Sequence, residues 1–169
     1  CLNSPVLIEI YNALINFYIQ YGIIVWGNAL ESTLKPLQLL INRALRIITF
    51  APFGRINLTP IYKELKVLYI KDTLFLETSK HMFKLKNGLF PIRFADYFSR
   101  DSLPSNSYRL RSTVRLDNTN IQTRLQSTER SIQIRGEKLW IDIPEDERAI
   151  STFSCFKKMI KRMLIENYV

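Results

Sequence analysis

Cysteine, histidine and glycine are scarce in this sequence of 169 residues, and each scarcity excludes a class of site. The two cysteines, Cys1 and Cys155, stand at opposite ends, which rules out a disulfide framework and a cysteine-rich zinc site. A single histidine, His81, argues against histidine-based catalysis or metal binding. Five glycines leave little material for a phosphate loop, and no Walker, dinucleotide or zinc spacing occurs. We therefore predict no catalytic, metal or cofactor residue in this chain.

The composition that is present is globular and basic. Apolar residues make up 47% and charged residues 23%, enough to build the core of one domain or two small ones. Lys and Arg together number 24 against 15 for Asp and Glu, a net charge of +9. This excess favours a polyanionic partner or an acidic membrane surface. Because the first residue is Cys and not Met, we expect the chain to be a piece of a longer protein.

The first predicted helix begins at Ser4-Pro5, a capping hydroxyl followed by proline, and extends to about Trp26. Its polar residues form one narrow stripe: Glu9, Asn12, Asn16 and Gln20. A helix that is apolar over the rest of its circumference either spans a membrane or occupies the centre of a bundle. The polar stripe is costly to insert into lipid, so we favour the central bundle helix and expect no membrane partner.

A second helix is predicted over residues 31–49. Its apolar face contains Leu37, Leu40, Ile41, Ala44, Leu45 and Ile48, and the opposite stripe contains Lys35, Gln38, Asn42, Arg46 and Thr49, with Arg43 on its flank. Since the helix buries its other face, this stripe must meet solvent, a partner or nucleic acid. Lys35, Arg43 and Arg46 are therefore candidate contacts to a nucleic-acid backbone.

Three further helices follow from capping and turn signals. They cover about 61–67, 73–86 after Asp72, and 152–166, the last with a basic outer face. Trp26 and Trp140 are predicted core anchors, and Cys155 a small buried hydrophobe.

The period changes to two from Tyr108 onward. Arg109, Arg111 and Arg115 share one face of a predicted strand, about 7 Å apart for alternate residues. Residues 130–135 repeat the alternation, with Ile132 and Ile134 inward, Arg135 outward, and a turn at Gly136. The spacing suits phosphate contacts, and an ordinary solvated sheet face is equally compatible with it.

The predicted fold class is mainly α: a helical bundle, then a small β-containing segment and a C-terminal amphipathic helix. We divide the chain into a helical region at 1–100 and an Arg-rich strand segment with the last helix at 101–169.

An ordered set of short strings resembles the C-terminal region of reverse transcriptases from jockey-type non-LTR retrotransposons. In chain order the strings are YGxxVWG at 21–27, LQxxxNRALRII at 37–48, TPIYKEL at 59–65, YRLRS at 108–112, GEKLW at 136–140, Ile143-Pro144, and Phe153 with FKK at 156–158. In that family the palm lies upstream and carries paired catalytic aspartates in an F/Y-x-D-D signature, which this chain does not contain.

The resemblance implies a post-palm segment, thumb and extension, of an RNA-directed DNA polymerase that helps to hold the template–primer. Its partners would be nucleic acid and the upstream polymerase domain, with magnesium bound in the palm and no cofactor in this chain. Two alternatives remain from the residues themselves: a free-standing nucleic-acid-binding module, or a peripheral protein- or membrane-interaction domain.

Overall fold

The computed structural model describes residues 3–52, 56–91 and 132–168, and the regular structure in these ranges is helical. The helices are α1 (Ser4–Tyr11), α2 (Phe17–Trp26), α3 (Glu31–Thr49), α4 (Thr59–Glu64), α5 (Ile70–Lys86), α6 (Ile132–Asp142), α7 (Glu145–Arg148) and α8 (Phe153–Glu166). The mainly α class is therefore confirmed. Within the described ranges, no helix has the length and apolar character needed to cross a membrane.

The first two helices are continuous through one π-helical segment at Asn12–Asn16. Asn3 caps the N-terminus, where its Oδ1 accepts from the Val6 amide at 3.4 Å, so the cap lies one residue before the predicted one. The predicted polar stripe forms a chain of amide hydrogen bonds. Asn16 donates to Asn12 at 3.0 Å and Gln20 donates to Asn16 at 3.2 Å.

The central helix of the described body is α5, and the prediction that the first helix is central was wrong. Helix α5 packs against α2, α6 and α8, and its buried residues occur on every side. The α1–α2 segment buries only one side, at Tyr11, Ile19 and Ile23. Its opposite side is an apolar ridge, which we define as Leu14, Phe17, Tyr18, Tyr21 and Val25; these side chains are 61–86% exposed.

Two core clusters share α5. The first joins α1 to α4 with the start of α5, and it includes Tyr11, Ile23, Leu45 and Tyr62. The second joins the later part of α5 to α8 and to Ile143, and it includes Phe83 stacked on Phe156 at 4.6 Å between ring centroids. The C-terminal elements therefore pack directly on the helix that the N-terminal elements also use.

Gly27 allows the end of α2 to approach α5 closely. A Cβ atom at this position would lie 2.8 Å from the Ile23 Cγ1 atom and 3.0 Å from the Leu74 Cδ1 atom. Both distances are shorter than ordinary van der Waals contact, so a larger residue would push α2 away from α5. This contact explains one glycine of the YGxxVWG string.

The strand predicted at 130–135 was wrong over its last four residues, because the backbone is helical from residue 132 to 142. Arg135, predicted to point outward, is half-buried, and its Nη1 donates to the Asn28 Oδ1 atom at 2.5 Å. Burial lowers the pKa of Arg135 below its ordinary value. Gly136 is a buried residue inside the helix and not a turn. The strand predicted from Tyr108 lies outside the described residues, as does the proposed boundary at residue 100.

Three single-residue predictions have different outcomes. Trp26 and Trp140 are half-buried, and each packs against the edge of one core cluster. Cys155 is exposed, so its assignment as a small buried hydrophobe was wrong. Leu40, placed on the apolar face of α3, is 58% exposed.

Candidate nucleic-acid interface

Helix α3 carries the predicted nucleic-acid contacts. Ile41, Leu45 and Ile48 recur at helical spacing and are buried in the first core cluster, which fixes the side of the helix that faces inward. The helix ends at Phe50, whose left-handed backbone has φ of 53°. There the Ala51 amide donates to the Arg46 carbonyl at 3.0 Å, which closes the last turn.

The polar stripe of α3 does not face outward as a whole. Gln38 Nε2 donates to the Tyr62 hydroxyl at 2.7 Å, and that hydroxyl donates to Asn42 Oδ1 at 2.6 Å. Gln38 Oε1 also accepts from the Ile70 amide, the first residue of α5, at 3.0 Å. Gln38 and Asn42 therefore connect α3 to α4 and α5, and the prediction that the stripe must meet solvent, a partner or nucleic acid was wrong for them.

The cationic candidates on α3 have separate surroundings. Lys35 and Arg43 are exposed, whereas Arg46 is half-buried. Three exposed aliphatic side chains lie among them on the outer side: Leu39, Leu40 and Ile47, at 50%, 58% and 56% exposure. The outer side of α3 is thus a mixed surface of aliphatic groups and cations. Arg109, Arg111 and Arg115 lie outside the described residues.

A cavity of about 760 Å³ lies beside Lys35, between α3 and the start of α5. Its charges are of both signs. Lys71 pairs with Glu31 at 2.8 Å and holds the pKa of that carboxyl below its ordinary value. Asp72 also lines the cavity, and its pKa is raised mainly by burial. Because two lysines and two carboxyl groups line it, this cavity has no excess of cations that would favour an anion.

Tyrosines hold the wall of this cavity in place. The Tyr168 hydroxyl donates to Asp72 Oδ2 at 2.6 Å and accepts from the Tyr69 amide at 3.1 Å. Tyr69 stacks on Tyr62 with 4.0 Å between ring centroids. Burial raises the pKa of Tyr62 and of Tyr168 above the ordinary phenol value, so both rings stay neutral donors. Tyr168 therefore holds the start of α5 in place through these two hydrogen bonds.

A second cationic surface was not among the predicted sites. Lys66, Lys157 and Lys161 line a small cavity together with Asn16, Gln20 and Thr73, and we call it the lysine pocket. The sequence signal was partial, because Lys157 and Lys161 are one helical turn apart on the basic face of α8. Nothing in the sequence indicates that the end of α4 meets this face.

Comparison of the chain with models of known protein families, with curated proteins and with solved structures gives no match. Among the described residues, no group of histidine, cysteine, aspartate and glutamate side chains is arranged to hold a metal ion.

Proposed function

We propose that this chain is the part of a non-LTR retrotransposon reverse transcriptase that follows the palm, and that it helps to hold the template–primer. The chain itself carries no catalytic residue in this proposal. Its ligand is nucleic acid, and its covalent neighbour is the polymerase domain that supplies the paired aspartates and magnesium.

The observation that carries the proposal is the joining of two of the family-like strings. Asn42 belongs to the string at 37–48 and Tyr62 to the string at 59–65, and their side chains share a hydrogen bond of 2.6 Å. Gly27, in the string at 21–27, meets Leu74 of α5. Gly27, Asn42 and Tyr62, one residue from each of these three strings, therefore take part in contacts between helices, which supports the resemblance.

The charge distribution supports nucleic acid as the ligand. Lys35 and Arg43 remain exposed on α3, whereas the side-chain amides of this helix bond inward. The whole chain carries a net charge of +9. Cations on a rigid helix give a binding energy that is independent of base sequence, as a polymerase needs for a moving duplex.

Binding of an RNA–DNA heteroduplex tests this function. We expect Lys35→Gln and Arg43→Gln each to weaken binding similarly for unrelated duplex sequences, and each to lower the salt slope by about 0.9. Lys86→Gln is the matched control, since Lys86 is exposed at the far end of α5, about 24 Å along the helix from Ile70. Preference of the wild type for anionic vesicles over duplex, or no binding of duplex, would contradict the proposal.

The polymerase part of the proposal has a separate test in the coding sequence upstream of Cys1. We expect that sequence to encode a palm with paired aspartates. We also expect the present chain alone to extend no primer on an RNA template with magnesium and nucleotides. An upstream sequence without a palm, or extension by the pure chain, would contradict the assignment.

A further inference from the structure

Lysine residues from two parts of the chain that are far apart in sequence line the lysine pocket. Lys66 follows the end of α4, while Lys157 and Lys161 lie one turn apart on α8. Lys161 is half-buried, and Lys66 and Lys157 are exposed. Within the part of the chain that the structure describes, none of the three forms an ion pair with a carboxylate.

The one carboxylate that lines the pocket is already neutralised. Lys80 Nζ donates to both oxygens of Glu77, at 2.7 Å and 2.6 Å, and this pair is largely shielded from solvent. The three pocket lysines therefore keep an uncompensated positive charge. Burial, together with repulsion from Lys157 and Lys66, lowers the pKa of Lys161, a repulsion that a bound anion would relieve.

The backbone at Lys66 gives a second reason to assign a role to its side chain. Its φ of 54° is left-handed. The Val67 amide donates to the Tyr62 carbonyl at 3.1 Å and the Lys66 amide to the Lys63 carbonyl at 3.3 Å, which is the helix ending in which glycine is usual. A lysine here is strained where glycine would not be, so the fold alone does not call for it.

The size of the cavity limits what it can hold. Its volume of about 90 Å³ corresponds to roughly three water molecules. It is smaller than a pocket for a drug-sized ligand, which has about 300 Å³ or more. Val67, Leu68 and Leu76 add apolar walls, which strengthen the attraction between the ammonium groups and an anion.

From this geometry we propose that the lysine pocket binds one phosphate group of a nucleic-acid strand. Ammonium groups are compact donors suited to a single phosphate, and three lysines line this small cavity. The proposal rests on the proposed function, since that function names nucleic acid as the ligand. It adds a second contact, formed by residues outside α3.

Heteroduplex binding at several salt concentrations tests the pocket, with wild type, Lys66→Gly, Lys161→Gln, their double variant and the Lys86→Gln control. Each single variant should lower the salt slope by up to about 0.9, the value for one phosphate. The double variant should lower it by no more than about 0.9, because both lysines serve the same phosphate. Lys66→Gly should keep or raise the melting temperature, since glycine relieves the left-handed strain. Weaker binding by that variant is then not a folding defect.

Unchanged affinity and slope in both single variants would overturn the pocket. A loss of about 1.8 in the double variant would also overturn it, because that sum indicates two independent surface contacts. If the α3 variants weaken binding while the pocket variants do not, the proposed function stands and this inference fails. If wild type binds no duplex, both fail.

A pyrophosphate titration followed by thermal shift separates the source of the phosphate. We expect pyrophosphate to raise the melting temperature of wild type more than that of Lys161→Gln, and to compete with the duplex. Stabilisation by pyrophosphate without any effect of Lys161→Gln on duplex affinity would mean that the pocket takes free phosphate, which contradicts the nucleic-acid assignment.

Discussion

Helices α2 and α5 show opposite relations between composition and burial. Helix α2 consists almost wholly of apolar and aromatic residues, yet Tyr21 and Val25 are 85% and 86% exposed. Helix α5 contains lysines, an aspartate, a glutamate and a histidine, yet buried residues occur on every side of it. The difference arises from position, because α5 is the helix on which both core clusters are built.

Helix α5 tolerates burial because its polar groups bond within the helix. Thr73 Oγ1 donates to the Tyr69 carbonyl at 2.9 Å, and Ser79 Oγ donates to the Phe75 carbonyl at 2.8 Å. Glu77 pairs with Lys80 one turn away. Each of these buried polar side chains therefore has a hydrogen-bond partner, which offsets the free-energy cost of removing it from water. The apolar content of a helix therefore does not determine how much of its surface is buried. The burial depends on how many neighbouring helices pack against it.

The largest expected effect is in the last turn of α5. Phe83 is fully buried, stacks on Phe156 and contacts Phe153 at 5.8 Å between ring centroids. We expect Phe83→Ala to lower the free energy of unfolding by about 3–5 kcal/mol, because it leaves a cavity between α5 and α8. Urea unfolding measures it. Phe83→Leu, which keeps most of the volume, should cost clearly less. Equal losses for the two variants would contradict a packing role.

A smaller effect is expected from the hydroxyl that connects α3 to α4. Tyr62→Phe removes the partner of Gln38 and Asn42 in a buried site, so we expect a loss of about 1–2 kcal/mol. Tyr18→Phe is the matched control on the apolar ridge, where the side chain is 71% exposed, and it should change stability by less than about 0.5 kcal/mol. Similar values for the two would mean that the network contributes nothing to stability.

The sequence predicted the bounds of α3 and α8 to within one residue, because their helical periods are local signals. Helix α5 begins at Ile70, so the predicted cap Asp72 lies in its first turn and the prediction of that cap was wrong. Prediction from sequence also failed at residues 132–135, where a short alternation is compatible with a strand. Gly136, Leu139, Trp140 and Ile143 already had helical spacing, but the glycine was interpreted as a turn.

The candidate site was less accessible from sequence than the helices. The inward direction of Gln38 and Asn42 depends on Tyr62, twenty or more residues away, and such a pairing leaves no periodic signal. The lysine pocket also depends on a contact between distant parts of the chain, because Lys66 comes close to α8 only in the folded protein. Local patterns therefore predicted correctly that Lys35 and Arg43 are exposed. Which other polar residues form hydrogen bonds inside the protein depends on contacts between distant parts of the chain.

The start of α5 should also respond to pH. Burial raises the pKa of Asp72 above its ordinary value, and the hydrogen bond from Tyr168 only partly opposes this. The folded state therefore takes up this proton at a higher pH than the unfolded state, and Asp72 contributes more to stability as the pH falls through its raised pKa. The gain in the free energy of unfolding of Asp72→Asn over wild type should be largest near pH 7 and should shrink towards pH 4. Urea unfolding at several pH values measures this, with exposed Asp142→Asn as the control. A difference that is constant with pH would contradict the assignment.

The smallest effect is expected on the apolar ridge of α2, where it tests the comparison with α5 most directly. Val25→Thr keeps the shape and nearly the helix propensity of the side chain, and Val25 is 86% exposed, so stability should change by less than about 0.5 kcal/mol. Ile23→Thr, two residues earlier, is the control because Ile23 is fully buried. It should cost about 2 kcal/mol or more, since it buries a hydroxyl and removes apolar volume. The contrast follows from placement alone, because both residues are β-branched and share one helix. A loss above about 1 kcal/mol for Val25→Thr would show that the ridge is covered in the folded chain, and α2 would then resemble α5.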